Sequence, residues 1–334
     1  MLSKSFYLKI NIITLRSVLV LILVGSIVRS TGAGMGCPDW PKCFGSYVPP
    51  TSTDQLPENY LETFRAERLK KNERLASLLS KLGYEKLSNQ ILTDPLVQEE
   101  QAFNVTKAWI EYVNRLIGVL IGLLVFINMI WAFAHKEKKG FVLVGIFIFV
   151  LTGFQGWVGS LVVSTNLLKG FITFHMILAL VIVALLIWMN VKAQELTIVR
   201  NRKLFLTTLI LLILFVPQLL MGTEVRHVVD LLLVSEPDRS LWANSLTEMF
   251  LYHRSYSWII LIGSLFLLNR IRKQKIIELN KPASALLAMI GLIGVVGVIM
   301  TNFNFPFWTQ PLHLILATGI FSILFYLILR LKPA

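Results

Sequence analysis

Four polar residues stand in apolar runs at a repeated spacing. His253 and His313 lie 60 residues apart, and Asn114 and His175 lie 61 apart. Asn114-Arg115 echoes His253-Arg254, and Phe174-His175-Met176-Ile177-Leu178-Ala179 echoes Leu312-His313-Leu314-Ile315-Leu316-Ala317. A further echo precedes each pair, since Gly25-Ser26-Ile27-Val28-Arg29 resembles Gly222-Thr223-Glu224-Val225-Arg226. The pattern is that of a duplicated unit with two related sites, one of which has asparagine in place of a histidine. Imidazoles ligate metals, and polar groups inside apolar spans are costly and usually functional, so the expected chemistry is metal or metal-cofactor binding.

The elements that must position these residues are membrane spans. With 55% hydrophobic and 15% charged residues, the chain is far more apolar than a soluble domain. A span needs about 20 apolar residues, and eight segments qualify: 11–29, 108–133, 141–163, 170–191, 204–222, 249–268, 283–301 and 309–329. Segments five to eight repeat one to four. The reading is an all-α polytopic membrane protein: eight transmembrane helices forming two pseudo-symmetric four-helix bundles, residues 1–192 and 193–334. The first segment is read as a retained span and not a cleaved leader, because Gly25 to Arg29 belongs to the repeat.

Basic residues are retained on the cytoplasmic side. Both tails and the loops after spans two, four and six carry sixteen lysines and arginines, among them Lys136, Lys138 and Lys139, whereas the short loops opposite hold only Lys169, Arg226 and Arg239. Both termini are therefore expected to be cytoplasmic. The net charge of +13 is explained by these flanks and anionic lipid, with no call for a nucleic-acid partner. Residues 30–107 form one large outer loop. Apolar spacing at Leu61, Phe64, Leu75, Leu78, Leu79 and Leu82 among alternating charges predicts a short helical cap.

Asn114, His175, His253 and His313 all fall within about two turns of the outer entry of their spans, at similar depth. Facing bundle helices are a natural frame for a cofactor between two axial ligands. His253 and His313 therefore point to haem b. Arg29, Arg115, Arg226 and Arg254 recur beside them near the outer ends of spans. Singly such arginines snorkel to the interface; repeated, they suit propionates. His135 is assigned to a solvated basic run and His227 to the surface beyond span five.

Glu111 stands three residues before Asn114, on the same helix face. An acid beside a bound reactant can transfer protons, and the bland alternative is a carboxylate paired with a nearby arginine. Phe250 occupies the matching place before His253, which assigns chemistry to the first half and a permanent cofactor to the second. Cys37 and Cys43 are the only cysteines. On an outer loop they are expected to form a disulfide, with a structural or a redox role.

Taken together these residues resemble the haem A synthase family, membrane enzymes that convert haem O to haem A for cytochrome oxidase. The resemblance covers nearly the whole chain: Gly25–Arg29, the run Thr31 to Pro41 with its Cys-Pro-Asp-Trp-Pro, Glu111–Gly118, Gln155–Gly159, His175, Gln218–Asp230, His253-Arg254 and His313. It implies a four-helix bundle in each half, haem b ligated by His253 and His313 with Arg226 and Arg254 at its propionates, and haem O in the first half. There His175 and Glu111 would act, with Arg29 and Arg115 at the propionates. The implied reaction oxidises the C8 methyl group to formyl through hydroxylated intermediates. Two departures stand out. Asn114 replaces the family's usual histidine, and residues 223–248 lack the second cysteine pair of many bacterial members.

The expected partners are haem O, membrane lipid, an electron donor, a haem O synthase and further copies of the chain, in a cell inner membrane. The competing readings are a haem b electron carrier oxidising quinol and a haem-binding assembly chaperone. A two-iron carboxylate oxygenase is disfavoured, since the pair of Glu-x-x-His motifs that such a site needs is absent.

Overall fold

A computed structural model describes residues 4–134, 139–236 and 238–333, mostly as helix. In chain order these are α1 (Lys4–Ser30), three short loop helices α2 (Tyr60–Lys81), α3 (Glu85–Thr93) and α4 (Pro95–Gln98), and then seven long ones. The long ones are α5 (Val105–Ala134), α6 (Lys139–Ser164), α7 (Lys169–Gln194), α8 (Arg202–Ser235), α9 (Glu248–Lys273), α10 (Ile277–Asn302) and α11 (Thr309–Arg330). The basic residues His135, Lys136 and Lys138 lie outside the described residues.

Among the described residues, seven helices are long and apolar enough to cross a membrane by length and composition. The eighth long helix, α9, has 26 residues and so reaches about 39 Å at 1.5 Å per residue. Its apolarity is diluted by Glu248, His253 and Arg254 at one end and Arg270, Arg272 and Lys273 at the other. A second difference from the sequence expectation concerns α8. It does not stop at Gly222 but runs on to Ser235, so Arg226 and His227, expected in a loop, sit on helix. Apolar residues continue at helical spacing through Val225, Val229 and Leu232–Leu233, with Val229 buried, and nothing between Gly222 and Ser235 breaks the helix.

Helices α1, α5, α6 and α7 pack around a ring in that order, α7 closing onto α1; α8, α9, α10 and α11 do the same, and α11 joins the rings by packing on both α1 and α7. Lipid tails are as apolar as leucine, so helix association in a membrane rests on close packing. Gly263 of α9 shows how close: a Cβ there would lie 2.4 Å from Leu211 Cδ2 of α8. Leu186 and Met189 anchor one core with Phe325 and Leu329 packed against it. Leu267, Leu286 and Leu324 anchor the other.

Two fastenings hold the ends. At one end, β1 (Val199–Arg200) pairs in parallel with β2 (Leu331–Lys332), and Arg330 donates to the Thr197 carbonyl at 3.0 Å, the Tyr326 hydroxyl at 2.6 Å and Glu278 at 2.9 Å. At the other end, α2 to α4 pack as a helical cap over the α6–α7 turn. Leu75, Ala76, Ile91 and Val97 pack with Leu168, Leu161 and Phe171 at the α6–α7 turn, and Asn72 Nδ2 donates to the Ser164 carbonyl at 3.0 Å. Inside the cap Arg68 meets Glu100 at 2.9 Å.

Candidate functional site

His253 on α9 and His313 on α11 face each other with ring centres 6.2 Å apart and planes inclined by 52°. Two imidazoles bound to one metal ion from opposite sides, with metal–nitrogen bonds of about 2 Å, place their ring centres roughly 6 Å apart. The separation therefore suits one ion between the two rings. Each ring rests on a glycine of the neighbouring helix. A Cβ at Gly222 of α8 would stand 3.2 Å from His253 Cε1, and one at Gly297 of α10 would stand 3.8 Å from His313 Cε1. Gln218, one turn before Gly222, donates its Nε2 to the His253 carbonyl at 3.1 Å.

The first ring repeats this arrangement with one imidazole. His175 on α7 rests on Gly159 of α6, where a Cβ would lie 3.3 Å from Cε1, and Gln155 donates to the His175 carbonyl at 2.9 Å. The Nδ1 atoms of His175 and His313 are buried with no hydrogen-bond partner, as are the Asn114, Gln155 and Gln218 side-chain oxygens. The counterpart of the His253–Gly222 contact is open: no atom lies within 4 Å of a Cβ built on Gly25 of α1.

Glu111 of α5 is buried and spoken for on both oxygens. The Cys37 N–H donates to Oε2 at 2.9 Å, and Arg115 Nη2 donates to Oε1 at 2.5 Å. Cys37 and Cys43 form the expected disulfide. The loop it closes folds onto the start of α5 so tightly that a Cβ on Gly36 would fall 2.4 Å from the Lys107 carbonyl oxygen, so only glycine fits. Arg115 fastens the same loop. Its Nη1 donates to the carbonyls of Asp39 at 2.7 Å and Lys42 at 2.9 Å, and Nη2 to that of Cys37 at 3.1 Å. Asp39 in turn accepts from the Phe44 and Gly45 amides at 2.6 and 2.9 Å. Of the five guanidinium N–H donors, the four on the terminal nitrogens of Arg115 are thus engaged within the protein.

Arg29 and Arg226, which match in the two halves, meet. Arg29 Nε donates to Asp230 Oδ2 at 2.8 Å, and its Nη2 contacts the same oxygen. Arg226 Nη2 lies 2.8 Å from Asp230 Oδ1. Arg254 of α9 sets its guanidinium 5.6 Å from the centre of the Phe250 ring and pairs with no acid among the described residues.

The three histidines, Asn114, Glu111, Arg29, Arg115, Arg226, Arg254 and the glycines and glutamines beside the rings line one cavity of about 2040 Å³ that reaches into both rings, whereas Asp230 and the two cysteines do not. Small-molecule pockets usually hold about 300–1,000 Å³, so this one has room for more than one large ligand. Its walls are mostly apolar, with six basic side chains against two acidic ones. An apolar ligand with carboxylate edges and a metal centre fits them. Among the described residues no three His, Cys, Asp or Glu side chains converge as a metal site; a haem asks for only one or two axial ligands.

Sequence reasoning missed several participants. Lys71 and Arg74 of the cap line the cavity beside Leu75 and Leu78, whose apolar spacing pointed to a cap but not to a place on the cavity wall. Asp230 had a signal, an acid in the apolar run Val228-Val229-Asp230-Leu231, where an ionisable residue is functional by default. The glycine seats had one too, the shared spacing of Gln155 to Gly159 and Gln218 to Gly222.

The fold and cavity define a polytopic helical membrane protein with a histidine- and arginine-lined interior. The sequence pattern of the COX15-CtaA family, described as cytochrome oxidase assembly proteins, matches residues 9–73 and 89–325, and the chain belongs to that family. It is 26% identical over 214 residues to the heme A synthase of Shewanella oneidensis, covering 63% of this chain and 54% of that protein. With the heme A synthase of Bartonella quintana it shares 26% over 183 residues, 52% of this chain and 44% of that one. The heme A synthase of Ehrlichia canis matches at 26% over 345 residues, 93% of this chain and 89% of that one. The chain thus spans about half the length of several relatives and most of another.

Proposed function

We propose that the protein is a haem A synthase, oxidising the C8 methyl group of haem O to formyl through hydroxylated intermediates for cytochrome oxidase. The observation that carries this is the inequality of two repeated sites on one cavity. One has a facing pair, His253 and His313; the other has His175 with Asn114 and a buried carboxylate, Glu111. The first arrangement suits a permanent, fully ligated cofactor, and the second a substrate that must come and go.

In this reading the chain has eight spans in two bundles, 1–192 and 193–334, with both termini cytoplasmic, the cap on the outer face and an inner-membrane location. His253 and His313 hold haem b, which supplies one-electron transfer when bound. Haem O lies in the first bundle with its iron toward His175 and its propionates toward the outer end. Arg29 has donors left for a propionate; Arg115, spent on the disulfide loop, acts by holding Glu111 and that loop in place. In the second bundle Arg226 and Arg254 take the haem b propionates. Glu111 offers a fixed negative charge beside carbon atoms that become electron-poor during oxidation and can pass a proton to the loop side. Asn114 leaves one axial position of the substrate iron without an imidazole. Each hydroxylation would take dioxygen as oxidant with two electrons from the donor and two protons, releasing one water, and the dihydroxylated carbon would lose water to give formyl; haem O synthase, an electron donor and a second copy of the chain are the expected partners.

The test is chromatography and mass analysis of haem extracted from cells that express the chain with a haem O synthase. Haem A or hydroxylated haem O from the wild type, lost in Glu111→Ala while haem b is retained, is the expected result. Haem b bound with haem O unchanged, in the presence of a competent donor, would replace the enzyme by a haem carrier.

A further inference from the structure

Each half opens with a helix carrying a glycine and, four residues on, an arginine: Gly25 and Arg29 on α1, Gly222 and Arg226 on α8. Residues four apart share a helix face one turn apart, so each arginine stands one turn beyond the glycine that borders its site. Gly222 is the seat of His253, and Gly25 borders the matching place in the first ring. Two arginines serving separate sites have no reason of their own to touch. Here they converge on one carboxylate from α8. Arg29 holds Asp230 Oδ2 through Nε at 2.8 Å and through Nη2, and Arg226 reaches Oδ1 at 2.8 Å. The three side chains are 20%, 12% and 17% exposed for Arg29, Asp230 and Arg226.

The arrangement is unfinished in a way that points to ligands. Two guanidiniums and one carboxylate leave a net positive charge in a largely buried place, which is costly unless an anion completes it. Arg226 Nε and Nη2 and Asp230 Oδ1 are all buried with no hydrogen-bond partner, so the 2.8 Å approach of Arg226 to Asp230 is an ion pair without a hydrogen bond, and both arginines line the cavity. Arg29 keeps its Nη1 donors. Each arginine can therefore take one propionate oxygen from its own side while its other edge stays on Asp230.

Resting on the haem reading above, we infer that Asp230 is a positioning residue that locks the propionate arginines of both halves to one shared charge and thereby couples the two haem sites electrostatically. The carboxylate fixes the guanidiniums, and whatever changes the hold of Arg29 on Asp230 changes the negative charge felt at the other site. A carboxylate relieved of Arg29 favours the ferric form of the haem between His253 and His313. By linkage, the oxidation state of that haem and the binding of an anionic porphyrin at Arg29 must each affect the other.

The experiment is a redox titration, with optical detection, of haem b in the purified full-length chain as wild type, Asp230→Asn, Arg29→Gln and Arg29→Lys. Loss of the negative charge in Asp230→Asn should raise the midpoint potential. Loss of the positive charge in Arg29→Gln, a residue of the other ring, should lower it, and Arg29→Lys should bring it back toward wild type. In the Asp230→Asn background Arg29→Gln should lower the potential by less than it does in the wild-type chain, because the shared partner is gone, so the double variant should stay near Asp230→Asn. A potential in Arg29→Gln equal to wild type, or haem content that falls in both variants while the remaining haem keeps its wild-type potential, would overturn the coupling and leave a packing role. A wild-type protein that binds no low-spin, bis-histidine haem would instead bring down the haem reading itself.

Discussion

The Cys37 amide donates to the buried Glu111 carboxylate across 2.9 Å, so the disulfide loop and the acid at the first site form one unit. Arg115 completes it, bonding Glu111 and three loop carbonyls at once. Glu111 and Arg115 are one turn apart on α5, and the loop supplies what a lone ion pair could not, a fixed orientation for both.

Opening the disulfide should therefore act on Glu111 before it acts on the fold. For a ring this small, cross-linking is worth about 2 kcal/mol by loop-closure entropy, and most of that acts on the loop. Cys43→Ser is expected to cut haem O conversion while leaving the haem between His253 and His313 spectrally unchanged. Extracted-haem chromatography beside an optical spectrum of the purified variant reads both. A changed haem b spectrum with normal conversion would place the loop in the wrong half.

Asn114 leaves space that the second ring fills with an imidazole. Nothing stands within 4 Å of a Cβ on Gly25, whereas the matching glycine, Gly222, touches His253. Asn114→His should consequently be accommodated and should give the substrate haem a second axial ligand. In a His313→Ala background, which removes the facing pair, added haem should shift from high-spin to low-spin on introducing the histidine. If an open axial position is needed for turnover, conversion in the otherwise wild-type chain should drop at least about tenfold, the effect of roughly 1.4 kcal/mol on the barrier. Unaltered conversion with a low-spin substrate haem would show that the open position is not required.

The disulfide of Cys37 and Cys43, helix in the large loop and the placing of most long helices were legible in the sequence, because apolar length, apolar spacing and a near-repeat, 60 residues against 61, are one-dimensional signals. What escaped depends on three-dimensional closure. The repeat places Arg29 and Arg226 alike in their own halves but does not say that the halves approach closely enough there to share Asp230. Arg115 reads as a free cation until Asp39 and Lys42 turn their carbonyls toward it, an outcome set by the fold of residues 37–45. The end of α8 was misjudged because Glu224, Arg226 and His227 lower the local apolarity, although helix continuation depends on backbone hydrogen bonding and on the buried Val229 more than on uniform hydrophobicity.

The cap should respond to pH through Glu100. Burial pushes its carboxyl above the ordinary carboxylate range, with Arg68 beside it pulling the other way. An acid whose pKa is higher folded than unfolded binds its proton more tightly in the folded state, so its stabilisation is full below the unfolded value and is lost as pH rises through the folded one. Hydrogen-exchange protection of residues 60–98, corrected for intrinsic rates, should thus be greater at acid pH and decline toward neutrality, and Glu100→Gln should flatten the decline. Arg68→Ala removes one member of a buried pair and should cost about 3–5 kcal/mol of cap stability. A protection profile independent of pH in the wild type would mean that Glu100 meets water freely.

The glycine seats give the most local test of the two-site reading, because each substitution addresses one ring and the expected effects differ in rank. A methyl at Gly222 would sit 3.2 Å from His253 Cε1 and one at Gly159 would sit 3.3 Å from His175 Cε1, so each imidazole would have to give way by a few tenths of an ångström. At Gly25 the methyl meets nothing. Gly222→Ala should perturb the low-spin spectrum of haem b, and Gly222→Leu, whose side chain cannot be absorbed by a small tilt, should abolish haem b binding. Gly159→Ala should spare haem b and slow haem O conversion, while Gly25→Ala should change neither, apart from the small gain in helix propensity of alanine over glycine, about 1 kcal/mol at most. Optical spectra and extracted-haem profiles of the four variants suffice. Loss of haem b in Gly159→Ala with Gly222→Ala unaffected would reverse the assignment of the halves, since the ring disturbed must be the ring that holds the cofactor.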